Sequence, residues 1–209
     1  MTYPATLLPQ LIEAVANAID ENAEAVAALD QAIGDGDHVI NLQRGLAALL
    51  AQREELGLLT WSAAWQKLGM TLMSTVGGAS GSLLGTLLLT MAKAAAGQTL
   101  DLQGFAGVFA QGVEAMKRRG KSEVGEKTML DVLVPVAVYL QSDACTAAEV
   151  LTGVQAVAVA GVESTRAMLA TKGRAAFLAE RSVGHIDAGA KSCQLMICAI
   201  SAVLSAAPA

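Results

Sequence analysis

The chain has 209 residues, 54% of them hydrophobic and 16% charged, with a formal net charge of −5; that length suits one sizeable core and favours a single domain over residues 1–209. The acidic balance, with no basic run interleaved by aromatics, excludes a nucleic-acid surface, so an anionic ligand must be met by a metal or by local lysines and arginines. The start, Met1-Thr2-Tyr3-Pro4, lacks the basic region of a secretory signal, and no apolar run reaches the roughly 18 residues of a membrane span, so a cytoplasmic location without membrane association is expected.

Alanine and leucine dominate and β-branched alternation is scarce, so the periodic segments read as helices. The first spans about Ala5 to Ala28, with Leu7, Leu8, Leu11, Ile12, Val15 and Ile19 on one face. The stretch Leu29 to Gly45 follows, in which Asp30, Asp35 and Asp37 fall close together and Gly34 and Gly36 let the backbone turn the acids toward one place. That is a hard-cation site in outline. Magnesium takes one or two carboxylates per ion and fills its other positions with water and phosphate oxygens, and acids this close repel one another unless a cation sits among them. A polar turn in which Asp37 caps the next helix is the alternative.

The second helix is expected from about His38 to Arg53, a polar turn over Glu54 to Thr60, and the third helix from about Trp61 to Thr75. Val76-Gly77-Gly78-Ala79-Ser80-Gly81 then opens a fourth helix through Leu83, Leu87 and Met91, which ends at Gly97-Gln98-Thr99. Asp101 is a good N-cap for a fifth helix, about Leu102 to Arg118. A charged, glycine-bearing segment, Arg119 to Lys127, leads to the sixth, about Thr128 to Leu140, bent near Pro135. After Gln141-Ser142-Asp143 the seventh runs from about Ala147 to Ala170. The connection Thr171 to Gly189 precedes the eighth, about Ala190 to Leu204. Trp61, Trp65 and the methionines read as packing. Cys145, Cys193 and Cys198 lack zinc-type spacing, which points to reduced thiols.

The connections after the first, third, fifth and seventh helices carry glycine with Asp, Ser, Lys, Arg or His, whereas the others are plain turns. In an up-and-down antiparallel array every odd-numbered connection emerges at the same end, so four chemically loaded loops would converge on one rim. The Gly77 to Gly81 loop ends at a helix N-terminus, where free N–H groups attract phosphate. Lys127-Thr128 offers a charge and a hydroxyl, and Lys172-Gly173-Arg174 could clamp an anion. The P-loop and dinucleotide glycine spacings are absent, and neither His38 nor His185 stands near a recognisable nucleophile elbow.

Together, Asp30-Gln-Ala-Ile-Gly-Asp-Gly-Asp-His38, Val76-Gly-Gly-Ala-Ser-Gly81, Arg119-Gly-Lys121, Gly125-Glu-Lys-Thr-Met129 and Lys172-Gly-Arg174 through Glu180-Arg-Ser-Val-Gly-His185-Ile-Asp187 resemble the nucleotide-binding L subunit of bacterial dihydroxyacetone kinase, over essentially the whole chain. The resemblance implies an antiparallel eight-helix barrel with the nucleotide at one rim. It implies two magnesium ions on Asp30, Asp35 and Asp37, and ADP or ATP lined by His38, Val39, Ile40, Asn41, Ala79, Ser80, Gly120, Met129, Arg174, Asp187, Ala188 and Gly189. Val39 and Ala188 depart from the glycine and proline frequent in the family, at positions that meet the ligand mainly through backbone.

The resemblance further implies a separate K subunit on which a histidine holds dihydroxyacetone covalently. The donor is expected to be a phosphohistidine M subunit of the phosphoenolpyruvate-dependent phosphotransferase system, rephosphorylating ADP that stays bound. An ATP-dependent kinase subunit for dihydroxyacetone or a related ketose is the alternative. A nucleotide-loaded regulator that binds a transcription factor and an apolar-ligand carrier are rival readings, and a homodimer is compatible with all of them.

Overall fold

Helical spacing of leucine and alanine yields ten α-helices and no strand among the described residues, which in this computed structural model are 3–98, 100–142 and 146–207. They are α1 (Leu8–Glu21), α2 (Ala23–Ile33), α3 (His38–Leu50), α4 (Arg53–Gly57), α5 (Trp61–Thr75), α6 (Gly78–Ala94), α7 (Leu102–Gly120), α8 (Leu130–Leu140), α9 (Ala147–Ser164) and α10 (Ala188–Ala206). Short 3-10 segments stand at Ala5–Leu7, Thr165–Ala167 and Arg174–Ser182. Thr99, Asp143 and Cys145, named above in turns and among the thiols, lie outside the described residues. Cys193 and Cys198 are free thiols.

Neighbour contacts close a ring. α1 touches α3, α3 touches α5, and from α5 to α10 each long helix touches the next; α10 then returns to α1. Inside the ring, Leu68, Leu87, Met91, Val113, Leu133 and Val136 build the main apolar core. Trp65 stands at its edge between Trp61 and Phe105, with ring centroids 5.3 Å and 6.2 Å away. A second cluster, including Ile19, Val26, Val39, Leu42 and Val76, sits beneath α2 and the start of α3. An apolar cavity of about 390 Å³ is left among the helices, away from the rim connections. Gly112 of α7 lies so close to α6 that a Cβ would come within 2.9 Å of Met91, whereas nothing stands within 4 Å of one at Gly107.

Several boundaries differ from the sequence expectation. The expected first helix is two: Asn22 takes φ −107 and ψ 10, and its amide donates to the Ala18 carbonyl, the local competition with backbone hydrogen bonding that makes Asn a poor interior residue. As a result α2 continues to Ile33, and Asp30 belongs to its last turns instead of the loop. Arg53–Gly57 forms the short α4 within the expected turn. The seventh helix stops at Ser164, six residues before Ala170. α8 runs through Pro135. Proline cannot donate to the Asp131 carbonyl four residues earlier, and Gly161 of α9 packs there so closely that a Cβ would lie 2.5 Å from that oxygen.

α10 corrects the reading that no segment is long and apolar enough to span a bilayer. Its 19 residues include an 18-residue window of mean hydropathy 1.4. In the ring it serves as a packing helix against α1, α8 and α9, with Ser192, Cys193 and Leu195 buried.

Candidate metal and anion site at the rim

The connections α2–α3, α5–α6, α7–α8 and α9–α10 meet around one cavity of about 730 Å³. At its base are the three carboxylates. Asp30, Asp35 and Asp37 each present an oxygen within 4.8 Å of the others. Two local features hold them there. The backbone N–H of His38 donates to Oδ2 of Asp30 at 3.1 Å, and Gly34 passes so close that any Cβ would collide with the Asp30 carboxylate. Gly36 then turns with φ +79, a region a side chain disfavours. Arg174 donates through Nε to Asp35 at 2.8 Å. An all-oxygen, multiply anionic cluster with two exposed members is the donor set a hard divalent cation takes, so these residues fit magnesium.

Beside the acids, α5 ends in extended backbone at Val76 and α6 begins after Gly77 with no side-chain cap. Its first-turn N–H groups, on Gly78, Ala79 and Ser80, are therefore free to receive an anion. α3 and α6 start side by side: a Cβ on Gly77 would lie 2.7 Å from Oδ1 of Asn41. Arg119, whose Nε donates to Ser82 Oγ at 3.3 Å, and Lys172, 3.5 Å from Glu126, add positive charge to the wall.

A buried polar lattice sets the far wall. Oδ1 of Asp131 accepts from Gly125 N at 2.5 Å and Oδ2 from Thr128 N at 2.7 Å, so one carboxylate fixes the α7–α8 connection. The Thr128-to-Asp131 spacing is the capping-box signature, so Asp131 was legible in the sequence although only Lys127-Thr128 were singled out. Lys127 is not the free cation expected there. It is 1% exposed, and its ammonium donates to the Thr165 carbonyl at 2.6 Å and to the His185 carbonyl. It thereby ties the end of α9 to the segment before α10. Burial lowers the Lys127 pKa, opposed by the charge of Asp187. Asp187 caps α10 by accepting from Ala190 N at 2.7 Å, and burial pushes its carboxyl up to about 6 against that hydrogen bond and Lys127.

Of the residues expected to hold ligand, Asp30, Asp35, Asp37, His38, Asn41, Ala79, Ser80, Gly120, Met129, Arg174, Asp187, Ala188 and Gly189 all line this cavity. Two do not. The Val39 side chain packs in the second core cluster, and Ile40 points outward, 57% exposed. His38 is a side chain of two contacts: Nε2 lies 2.8 Å from Ser192 Oγ and Nδ1 3.4 Å from Ser80 Oγ. Burial lowers its pKa, opposed by the charges of Asp30, Asp37 and Asp35. Ser192 and Thr165 went unread because a lone Ser or Thr in a helical run carries no pattern of its own.

Known proteins share much of this sequence and its fold. The DAK2 domain matches residues 32–202. A Listeria innocua protein, the ADP-binding subunit DhaL of PEP-dependent dihydroxyacetone kinase 1, is 41% identical over 196 residues, covering 94% of this chain and 95% of its own. The corresponding subunit of the PTS-dependent dihydroxyacetone kinase of Lactococcus lactis is 42% identical over 174 residues, covering 83% and 84%, and that of the Escherichia coli PEP-dependent enzyme is 38% identical, covering 84% and 85%. Among solved structures, the dihydroxyacetone kinase from C. freundii in complex with AMP-PNP and Mg2+ shares the fold, with TM-score 0.75 at 21% identity. The match covers 97% of this chain and 35% of that one.

Proposed function

We infer the function from the premise that the chain belongs to the DAK2-domain family. It is the ADP-binding subunit of a phosphoenolpyruvate-dependent dihydroxyacetone kinase, a phosphotransferase subunit that carries the nucleotide through which the phosphoryl group reaches dihydroxyacetone. Asp30, Asp35 and Asp37 hold two magnesium ions. The free N–H groups at the start of α6 and the Arg174 guanidinium take the phosphates, and His38, Asn41, Gly120, Met129 and Asp187 to Gly189 enclose the rest of the nucleotide. The observation that carries this reading is the meeting of the three acids, the uncapped α6 N-terminus and Arg174 in one cavity.

Bound magnesium supplies cancellation of phosphate charge and alignment of the donor and acceptor oxygens for in-line transfer. The chain's own residues do the positioning. His38 N–H and Gly34 orient Asp30. The α6 backbone amides are aimed before any ligand arrives, so no reorganisation is needed as charge develops on the phosphoryl group. Arg174 offers a planar fork suited to phosphate oxygens, and no nucleophile is required from this chain.

The acceptor, dihydroxyacetone, is held by a separate K subunit that docks at this rim. The donor is a phosphohistidine M subunit of the phosphotransferase system, acting in the cytoplasm on ADP that remains bound. The test is to purify the protein without added nucleotide, analyse it by native mass spectrometry, and assay transfer with a K subunit and dihydroxyacetone. Retained ADP with magnesium, and turnover driven by phosphoenolpyruvate through the phosphohistidine protein, are expected. An empty site, with ATP alone sustaining turnover, would replace this reading with an ATP-dependent kinase subunit.

A further inference from the structure

Ser192 lies on α10, 2% exposed, and belongs to none of the four rim connections. Its hydroxyl donates to the Ala188 carbonyl at 2.9 Å and stands 2.8 Å from Nε2 of His38. A serine hydroxyl has one proton. With that proton committed to Ala188, Ser192 can only accept from His38. In the neutral imidazole the single ring proton must therefore sit on Nε2, which leaves Nδ1 with a lone pair toward Ser80, 3.4 Å away.

We propose that Ser192 is a positioning residue that locks His38 in the Nε2–H tautomer and so sets which way the Ser80 hydroxyl points. In the locked arrangement Ser80 gives its proton to Nδ1 and turns its oxygen lone pairs into the cavity. Its hydroxyl then faces cations and O–H donors, such as metal-bound water or a ribose hydroxyl. The anion is left to the backbone N–H groups of the α6 first turn. One buried hydroxyl on α10 thus divides the labour of the α6 N-terminus between side chain and backbone. The proposal deepens the nucleotide-site reading, but the tautomer can be measured without nucleotide or metal.

The experiment is nitrogen-15 NMR of the histidine side chains in the full-length protein. Only two histidines are present, and His185→Asn assigns the other. At a pH where the ring is neutral, His38 of the unsubstituted protein should show a protonated Nε2 and a non-protonated Nδ1. Ser192→Ala removes a single oxygen and should release the lock, giving exchange between the two tautomers, and it should weaken magnesium-dependent ADP binding roughly fivefold, the size of one lost hydrogen bond. Ser201→Ala, the same deletion at a buried position further along α10, should change neither readout. A proton on Nδ1 of the neutral ring in the unsubstituted protein, or an unchanged His38 pattern in Ser192→Ala, would overturn the proposal. Failure of the unsubstituted protein to bind ADP would count against the proposed function, while the tautomer is still read on its own.

Discussion

The cavity at the rim and the cavity inside the ring are built from different parts of the same helices. The rim cavity, about 730 Å³, is lined by helix ends and connections, with three carboxylates, Arg174, Lys172 and the free amides of α6. The interior one, about 390 Å³, is lined by side chains from along the helices and from ends and connections other than those of the rim, such as Tyr3, Trp61 and Asp101, nearly all of them Leu, Ile, Val, Met or aromatic. Backbone hydrogen bonds are satisfied in a helix middle and unsatisfied at its ends, so polar chemistry collects at the ends and apolar burial between them. Rim substitutions should therefore move ligand binding with little effect on stability, and interior substitutions the reverse.

The largest effect is expected in the core. Ile19→Ala empties a fully buried site in the second cluster and should cost about 4 kcal/mol in urea unfolding, whereas Ile12→Ala, which already borders the interior cavity, should cost about 2 kcal/mol. Neither should shift magnesium-dependent ADP affinity; a shift in either would break the division. Next comes Asp35→Asn. Loss of one carboxylate should weaken magnesium-dependent ADP binding several hundredfold, on the order of 3.5 kcal/mol, with little change in melting temperature, because the exposed pair with Arg174 that is also lost contributes under about 1 kcal/mol.

A pH series tests a rim residue expected to affect stability. Asp187 has its pKa raised from 3.8 to about 6, so over that interval the folded protein keeps a proton that the unfolded chain has released. Its contribution is full below about pH 3.8 and is lost as pH rises through about 6. In metal-free protein this should remove roughly 3 kcal/mol, at about 1.4 kcal/mol per pH unit. Asp187→Asn, which keeps the cap on α10, should flatten the profile in that interval, and an unchanged slope would contradict the assignment. The smallest effect is a gain. Ala179, in the 3-10 segment over the rim, is held at φ 48 and ψ −125, a region that favours glycine. Ala179→Gly should raise stability by about 1 kcal/mol, read in the same urea titration, without altering ADP affinity.

The division also explains what the sequence made legible. The acids, their glycines and the Gly77 to Gly81 loop were readable because local chemistry dictates them: Gly34 has to be small beside Asp30, and α6 needs no cap if a ligand provides one. The convergence of four connections followed from the alternation of loaded and plain loops. What escaped was decided by tertiary contacts. The stop of α9 at Ser164 depends on Lys127 and Asp187, distant in sequence, which bond to Thr165 through its carbonyl and hydroxyl. The break at Asn22 put Asp30 on a helix, a change of local frame that still leaves its carboxylate among the other two. Lys127 looked like an anion ligand because its sequence neighbours are polar, and only the fold shows that carbonyls use its protons.

The most direct test of the central claim is calorimetric titration of ADP into nucleotide-free protein, once with magnesium and once with a chelator. One ADP per chain, bound at least about a hundredfold more tightly with magnesium present, is the predicted result, as expected if acids and amides act on a single metal–phosphate unit. Equal affinity in the chelator would contradict the account, because the three carboxylates would then have no part in holding the nucleotide.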